Sequence, residues 1–134
     1  MVIVDSDDVV GTCGCGHRGC LEQVASATGI VNLTEKKLAE CSQDSVLREI
    51  SPLTAKDVLD AAKAGDALAE QAAENMMKQL GRAAAYIACV VNPDIFVIGG
   101  GVSKAGDILL DIVRKYFYDT AFYGTQKTTI LLAT

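Results

Sequence analysis

An α/β fold is predicted for this chain of 134 residues, and three observations predict it. The apolar run Ile95-Phe-Val-Ile98 is bounded by Pro93 and by three glycines, as a strand buried on both faces would be. On each side of it lies a stretch whose apolar residues recur every three to four positions, the period of a helix with one buried face. A further β-branched segment near the end completes the order helix, strand, glycine turn, helix, strand, which is the order of a sheet layered with helices.

Composition agrees. Half of the residues are hydrophobic and 22% are charged, the balance of a globular chain with one core. The net charge is −5 and no basic patch is visible, which argues against nucleic-acid binding by these residues. The longest uncharged apolar segment, Ala83 to Val91, falls well short of the roughly 20 residues that a membrane helix needs. Met1 to Asp5 lacks the basic start and long apolar run of a signal peptide. A cytoplasmic protein without membrane partners is expected.

Met1 to Asp5 reads as a strand that begins at the first residue, which suggests a piece cut from a longer protein. Asp7 to Gly19 is a loop carrying Gly11, Gly14, Gly16 and Gly19. Leu21 to Ala27 turns helical, and a second helical stretch runs past Ile30 toward Glu49. Pro52 interrupts it. Thr54 then caps a helix with Asp57 three positions on, Leu53 is placed to staple onto Val58, and Gly65 stops the helix. Asp66 caps the longest helix, whose predicted buried face is Leu68, Ala72, Met76, Leu80, Ala84, Ile87 and Val91. Its alanines and Gly81 predict close helix packing, Met76 and Met77 read as core, and Pro93 ends it. A helix over Gly106 to Tyr118 and a strand over Thr128 to Leu132 follow. The sheet is expected to be incomplete at both ends. Cys41 and Cys89, isolated in helical patterns, read as small buried residues.

The remaining three of the five cysteines crowd together in Cys13-Gly-Cys15-Gly-His17-Arg-Gly19-Cys20. In a reducing compartment such a cluster points to metal rather than to disulfides. Thiolates are soft ligands suited to zinc, and the intervening glycines let the backbone turn tightly enough to aim several sulfurs at one point. Structural zinc takes four ligands, and three thiolates leave one place to fill. His17 is one candidate for it and is otherwise a solvent-facing loop residue. Free thiols in a surface loop are the plainer alternative for the whole cluster. A redox pair of the C-x-x-C kind is absent.

Gly99-Gly100-Gly101, after a strand and before a helix, could let a nucleotide approach backbone N–H groups. The turn fits neither common phosphate motif. Lys104 stands where a dinucleotide fingerprint needs a small residue, and Asp107 stands where a P-loop needs lysine. A turn that merely requires positive φ angles is equally consistent with these residues.

Two stretches together resemble the ROK family, the bacterial repressors and sugar kinases within the actin-like ATPase superfamily. Cys13-Gly-Cys-Gly-His-Arg-Gly-Cys-Leu-Glu-Gln-Val-Ala-Ser26 looks like that family's C-x-C-G-x-x-G-C-L-E-x-x-x-S pattern, and Asn92 to Gly106 is similar to its strand and glycine turn beside the adenosine site. The resemblance spans nearly the whole chain and looks closest to the glucokinases of Gram-positive bacteria. It implies an actin-like, ribonuclease H-like C-terminal lobe over residues 1–134, with packed helices and a zinc loop.

The resemblance also implies an ATP-dependent hexose kinase using Mg²⁺, with glucose phosphorylated on its 6-hydroxyl. Residue by residue, it implies Cys13, Cys15 and Cys20 as thiolates of a structural Zn²⁺ and Glu22 as the carboxylate that accepts hydrogen bonds from sugar hydroxyls. It implies Gly99, Gly100 and Gly101 as the turn beside ATP. A first-turn glutamate that merely favours the helix dipole is the plain reading of Glu22. The family's catalytic aspartate, its other phosphate-binding glycines and its fourth zinc ligand, a histidine before such a first strand, find no counterpart in these residues. The chain by itself is therefore expected to have no catalytic residue and no activity, and its parent to be a homo-oligomer. A sugar-sensing lobe of a ROK-type repressor is the alternative parent, and a separate zinc-stabilised interaction module a further one.

Overall fold

The computed structural model describes residues 7–134, apart from the side chain of Val102. The strand predicted over Met1 to Asp5 lies outside them. The chain divides into two compact units at the Met76–Met77 boundary.

The first unit opens with the glycine-rich loop and then turns into α1 (Leu21–Val24) and α2 (Ala27–Glu40). Ser26 separates the two helices by capping α2, its hydroxyl accepting from the Gly29 N–H at 3.0 Å. Gly29 lies where α2 meets α1: a Cβ there would come within 2.5 Å of the Gln23 carbonyl oxygen. Ile30, Leu33 and Thr34 supply the buried face of α2, and the Thr34 hydroxyl bonds back to the Ile30 carbonyl at 2.7 Å.

The helix predicted to reach Glu49 stops at Glu40 instead. Ser42, Asp44 and Ser45 are of the residue types that favour local side-chain bonds over helix. A 3-10 turn, Val46–Glu49, follows, and it places Arg48 to collect the carbonyls of Leu38, Cys41 and Gln43 at 2.6–2.9 Å. The guanidinium thus satisfies acceptors that the end of α2 leaves open. Cys41, expected in the core, lies in this extended segment and is exposed.

The caps of α3 (Ala55–Lys63) form as predicted. Asp57 accepts from the Thr54 N–H at 2.9 Å, and the Asp57 N–H donates to the Thr54 hydroxyl at 3.2 Å. At the other end Gly65 has φ +93°, which lets its N–H reach the Ala62 carbonyl while Asp66 N–H reaches Ala61. Asp66 then caps α4 (Ala67–Val91), accepting from Ala69 N–H at 3.0 Å. Burial works against the Asp66 charge, but the N–H groups of Ala69 and Val46 and the Ser45 hydroxyl outweigh it and hold the carboxyl below its usual range.

Helix α4 passes from the first unit into the second. Leu68, Ala72, Met76 and Met77 are buried as predicted, whereas Leu80 and Ala84 are only half-buried and Ile87 and Val91 are exposed. Cys89, also expected inside, is exposed on the last turn. Asn92 ends the helix in the left-handed region, with φ +48°, directly before Pro93.

In the second unit, β1 (Ile95–Ile98) pairs in parallel with β2 (Thr129–Leu132), with Phe96 opposite Ile130. The connection carries a 3-10 turn, Gly101–Ala105, and α5 (Asp107–Thr120), the crossover helix that a parallel pair requires. Leu109, Leu110, Val113 and Phe117 form the buried face of α5, and Phe117 meets Phe96 edge-on at 6.1 Å. The Arg114 guanidinium reaches the Ile130 carbonyl at 2.9 Å, and the Tyr118 hydroxyl donates to the Thr128 carbonyl at 3.0 Å.

The expectation that β1 is buried on both faces is not met. Ile95 and Val97 are 54% and 62% exposed, while Phe96 and Ile98 turn the other way and are half-buried. An alternating strand shows its two faces to different surroundings, and only one face of β1 is covered among the described residues. No helix among them is long and apolar enough to cross a membrane.

Gly81 marks the close packing predicted for α4. A Cβ there would lie 2.5 Å from the Val113 carbonyl oxygen and 3.1 Å from the Phe117 nitrogen, both backbone atoms of α5. Gly81→Ala is therefore expected to destabilise the chain by about 1–3 kcal/mol, since overpacking against backbone outweighs the better helix propensity of alanine. Urea denaturation would detect the change, and an unchanged or raised midpoint would refute it.

Candidate functional site

The cysteine loop is shaped by its glycines. Gly11, Gly16 and Gly19 have φ of +70°, +86° and +90°. Cys13 N–H donates to the His17 carbonyl and Gly16 N–H to the Cys13 carbonyl, both at 2.9 Å, so the segment folds back on itself. The Sγ atoms of Cys13, Cys15 and Cys20 consequently lie within 4.8 Å of one another.

That spacing fits a metal. Zinc–sulfur bonds of about 2.3 Å in a tetrahedron put the sulfurs roughly 3.8 Å apart. Cys15 and Cys20 stand at 3.4 Å. Among the described residues this is the one group of three or more Cys, His, Asp or Glu side chains close enough to share an ion. His17 Nδ1 lies 3.5 Å from the Cys15 sulfur, yet His17 does not join the three-sulfur group. Its hydrogen bonds do act on the thiol. Bonds from the His17 backbone and ring, then from Cys20 and Cys13, bring Cys15 down from 9.0 to about 6. The bond to Cys15, followed by burial, pushes Cys20 up to about 11. The shifts therefore run in opposite directions, toward the thiolate at Cys15 and toward the thiol at Cys20, and metal binding would favour loss of protons from both.

Beside the loop opens a cavity of about 380 Å³. Its wall includes Cys13 and Cys15 from the loop, Glu22 from α1, and Ser26, Thr28 and Asn32 from the start of α2. Glu22 is exposed, and no hydrogen bond engages its carboxylate among the described residues. Helix α1 is a single turn of four residues, too short to build much dipole, so dipole stabilisation accounts poorly for this glutamate. A free carboxylate flanked by hydroxyl and amide groups suits a polyhydroxyl ligand. Thr28 and Asn32, one helical turn apart on α2, went unremarked in the sequence, although polar residues at that spacing share a helix face.

The predicted glycine turn lies in the other unit. Gly100 has φ +77° and accepts from the Ser103 hydroxyl through its carbonyl at 2.7 Å. A Cβ on Gly100 or Gly101 would meet nothing within 4 Å, and one on Gly99 only the Ala133 Cβ at 3.9 Å. Positive φ therefore explains Gly100 but not Gly99 or Gly101, and packing among the described residues explains none of the three.

Residues 2–134 match the sequence profile of the ROK family. The chain belongs to the ROK family. This ROK chain is 44% identical over 108 residues to the glucokinase of Halalkalibacterium halodurans, an alignment covering 78% of the chain and 33% of the relative. It is 37% identical over 101 residues to the DNA-binding transcriptional repressor Mlc of Escherichia coli, covering 75% of the chain and 24% of that protein. Its fold matches a ROK family glucokinase from Streptomyces griseus in complex with glucose and AMPPNP, with a TM-score of 0.82 and 28% identity over 98% of this chain and 45% of that one. The α/β fold is thus that of the ROK sugar kinases. The chain spans about a third or less of each of these two curated relatives.

Proposed function

We propose that this chain is the sugar- and adenosine-binding C-terminal lobe of an ATP-dependent hexose kinase that converts glucose to glucose 6-phosphate. The carrying observation is the Glu22 carboxylate, unengaged among the described residues, in a cavity walled by the cysteine loop. Similarity to a glucokinase at 44% identity supports the same reading.

In this proposal Glu22 accepts hydrogen bonds from sugar hydroxyls, and Thr28, Ser26 and Asn32 complete the polar wall. Gly99 to Gly101 leave backbone uncovered where adenosine of ATP would approach. Cys13, Cys15 and Cys20 would hold Zn²⁺, which when bound neutralises the thiolates and stiffens the loop against the sugar side. Mg²⁺ would arrive with ATP. Phosphoryl transfer depends mainly on positioning and charge stabilisation, and closure of two lobes excludes water from the phosphate. The base that takes the proton from the attacking hydroxyl is proposed to lie in the other lobe of the parent, so that this chain alone is inactive.

A coupled assay for ADP release by the whole parent protein, with Mg²⁺-ATP and a panel of hexoses, tests the reading. Glucose-dependent release is expected. Glu22→Gln is expected to lower kcat/KM for glucose by roughly 10²-fold, consistent with loss of charge-assisted hydrogen bonds worth about 1.5–3 kcal/mol each. Failure to phosphorylate any hexose, in a protein that still binds glucose, would overturn the kinase and favour a sugar-sensing repressor lobe. The similarity to Mlc is what keeps that second reading in play.

A further inference from the structure

One side chain ties the cysteine loop shut. Gln23 follows Glu22 in α1, and its Oε1 accepts from the N–H groups of Gly19 at 2.9 Å and Cys20 at 3.2 Å. Its Nε2 donates to the carbonyls of Val10 at 3.2 Å and Gly11 at 3.1 Å. A primary amide has two acceptor positions and two N–H donors, and all four are used here. The two segments it grips flank Cys13 and Cys15, so the amide fastens the start of the loop to the backbone of Cys20. Gly11 and Gly19, both at positive φ, sit at the gripped points. A carboxylate in its place would set an oxygen against two carbonyls, and a shorter amide would not span both segments.

We infer that Gln23 is the positioning residue that closes the cysteine loop and thereby sets the metal affinity of Cys13, Cys15 and Cys20. This rests on the reading of those thiolates as a zinc site. Gln23 contributes no ligand atom. Its bonds hold the two ends of the loop together before metal arrives, so that less loop ordering is left to the binding step. Hydrogen-bonding partners behind metal ligands typically change affinity by about ten- to a hundredfold when removed.

Cobalt(II) is the probe, added to the whole 134-residue chain and to two variants. Gln23→Met keeps the size and loses the bonds; Gln23→Asn keeps the amide and loses the reach. Thiolate-to-cobalt charge-transfer absorption reports the ligands, and chelator competition gives the affinity. Amide hydrogen exchange at Gly19 and Cys20 in the metal-free chain reports loop closure. Both variants are expected to bind cobalt about ten- to a hundredfold more weakly. Faster exchange at those two amides and unchanged exchange in α3 should accompany the loss. A merely structural role would lower global stability and speed exchange in α3 as well, without separating affinity from fold. Undiminished affinity in a folded variant overturns the inference. If the unaltered chain binds no cobalt, the metal reading itself fails, and unchanged exchange at Gly19 and Cys20 in either variant then overturns loop closure as well. Should Gln23→Met not fold, Gln23→Asn carries the same comparison.

Discussion

Under the proposed zinc site, Cys20→Ser is expected to abolish tight metal binding while leaving the fold in place. Cys20 is buried at 3% exposure and stands at the N-cap of α1, where serine is among the favoured residues. The substitution therefore keeps the local backbone and removes a thiolate. Two remaining sulfurs, one of them on an exposed residue, cannot enclose the ion. A fall in affinity of more than about a hundredfold is expected by chelator competition, with loss of part of the cobalt charge-transfer band. Retention of wild-type affinity would mean that the three sulfurs are not the metal site. Cys89→Ser, an exposed cysteine of the other unit, is the matching control and should leave affinity unchanged.

Phe117→Ala is expected to cause the largest loss of stability. Phe117 is fully buried, its ring lies edge-on to Phe96 at 6.1 Å and to Tyr118 at 5.2 Å, and it closes the contact between α5 and the sheet. Truncating a buried phenylalanine removes its transfer energy and leaves a cavity, at a combined cost of about 3–5 kcal/mol. For a chain of this size that lowers Tm by roughly 10–20 °C. Because whole-domain stabilities are about 5–15 kcal/mol, the second unit could lose its fold outright, and both results count as expected. Calorimetry on Phe117→Leu separates the ring contacts from the volume, since leucine fills part of the cavity. A Tm within about 2 °C of the parent for the alanine variant would contradict the packing described here.

These substitutions also divide what could be read from residues alone. Thr54, Asp57, Gly65 and Asp66 were legible because a cap acts over three or four positions, and its partners are neighbours in the chain. The existence of α4 and α5 was legible for a similar reason, since one helical turn repeats whatever the tertiary setting, but the predicted α4 face is buried only at Leu68, Ala72 and Met76. The cysteine loop carried its own signal, since glycines between thiols have few purposes other than turning the chain tightly. The end of α2 was missed. It depends on Arg48 reaching back to three carbonyls, an interaction that no periodicity announces.

By itself, the sequence determined the α/β order, the caps and the family, and it set the three cysteines and Glu22 close together in one short motif. Each is written in adjacent residue types or in a short motif. Only the tertiary structure decided that Ile95 and Val97 face outward, that Cys41 and Cys89 are exposed, and that Gln23 binds two segments of the loop at once. Burial and long-range hydrogen bonds depend on which surfaces the folded chain brings together, and a residue's own chemistry does not specify its distant neighbour.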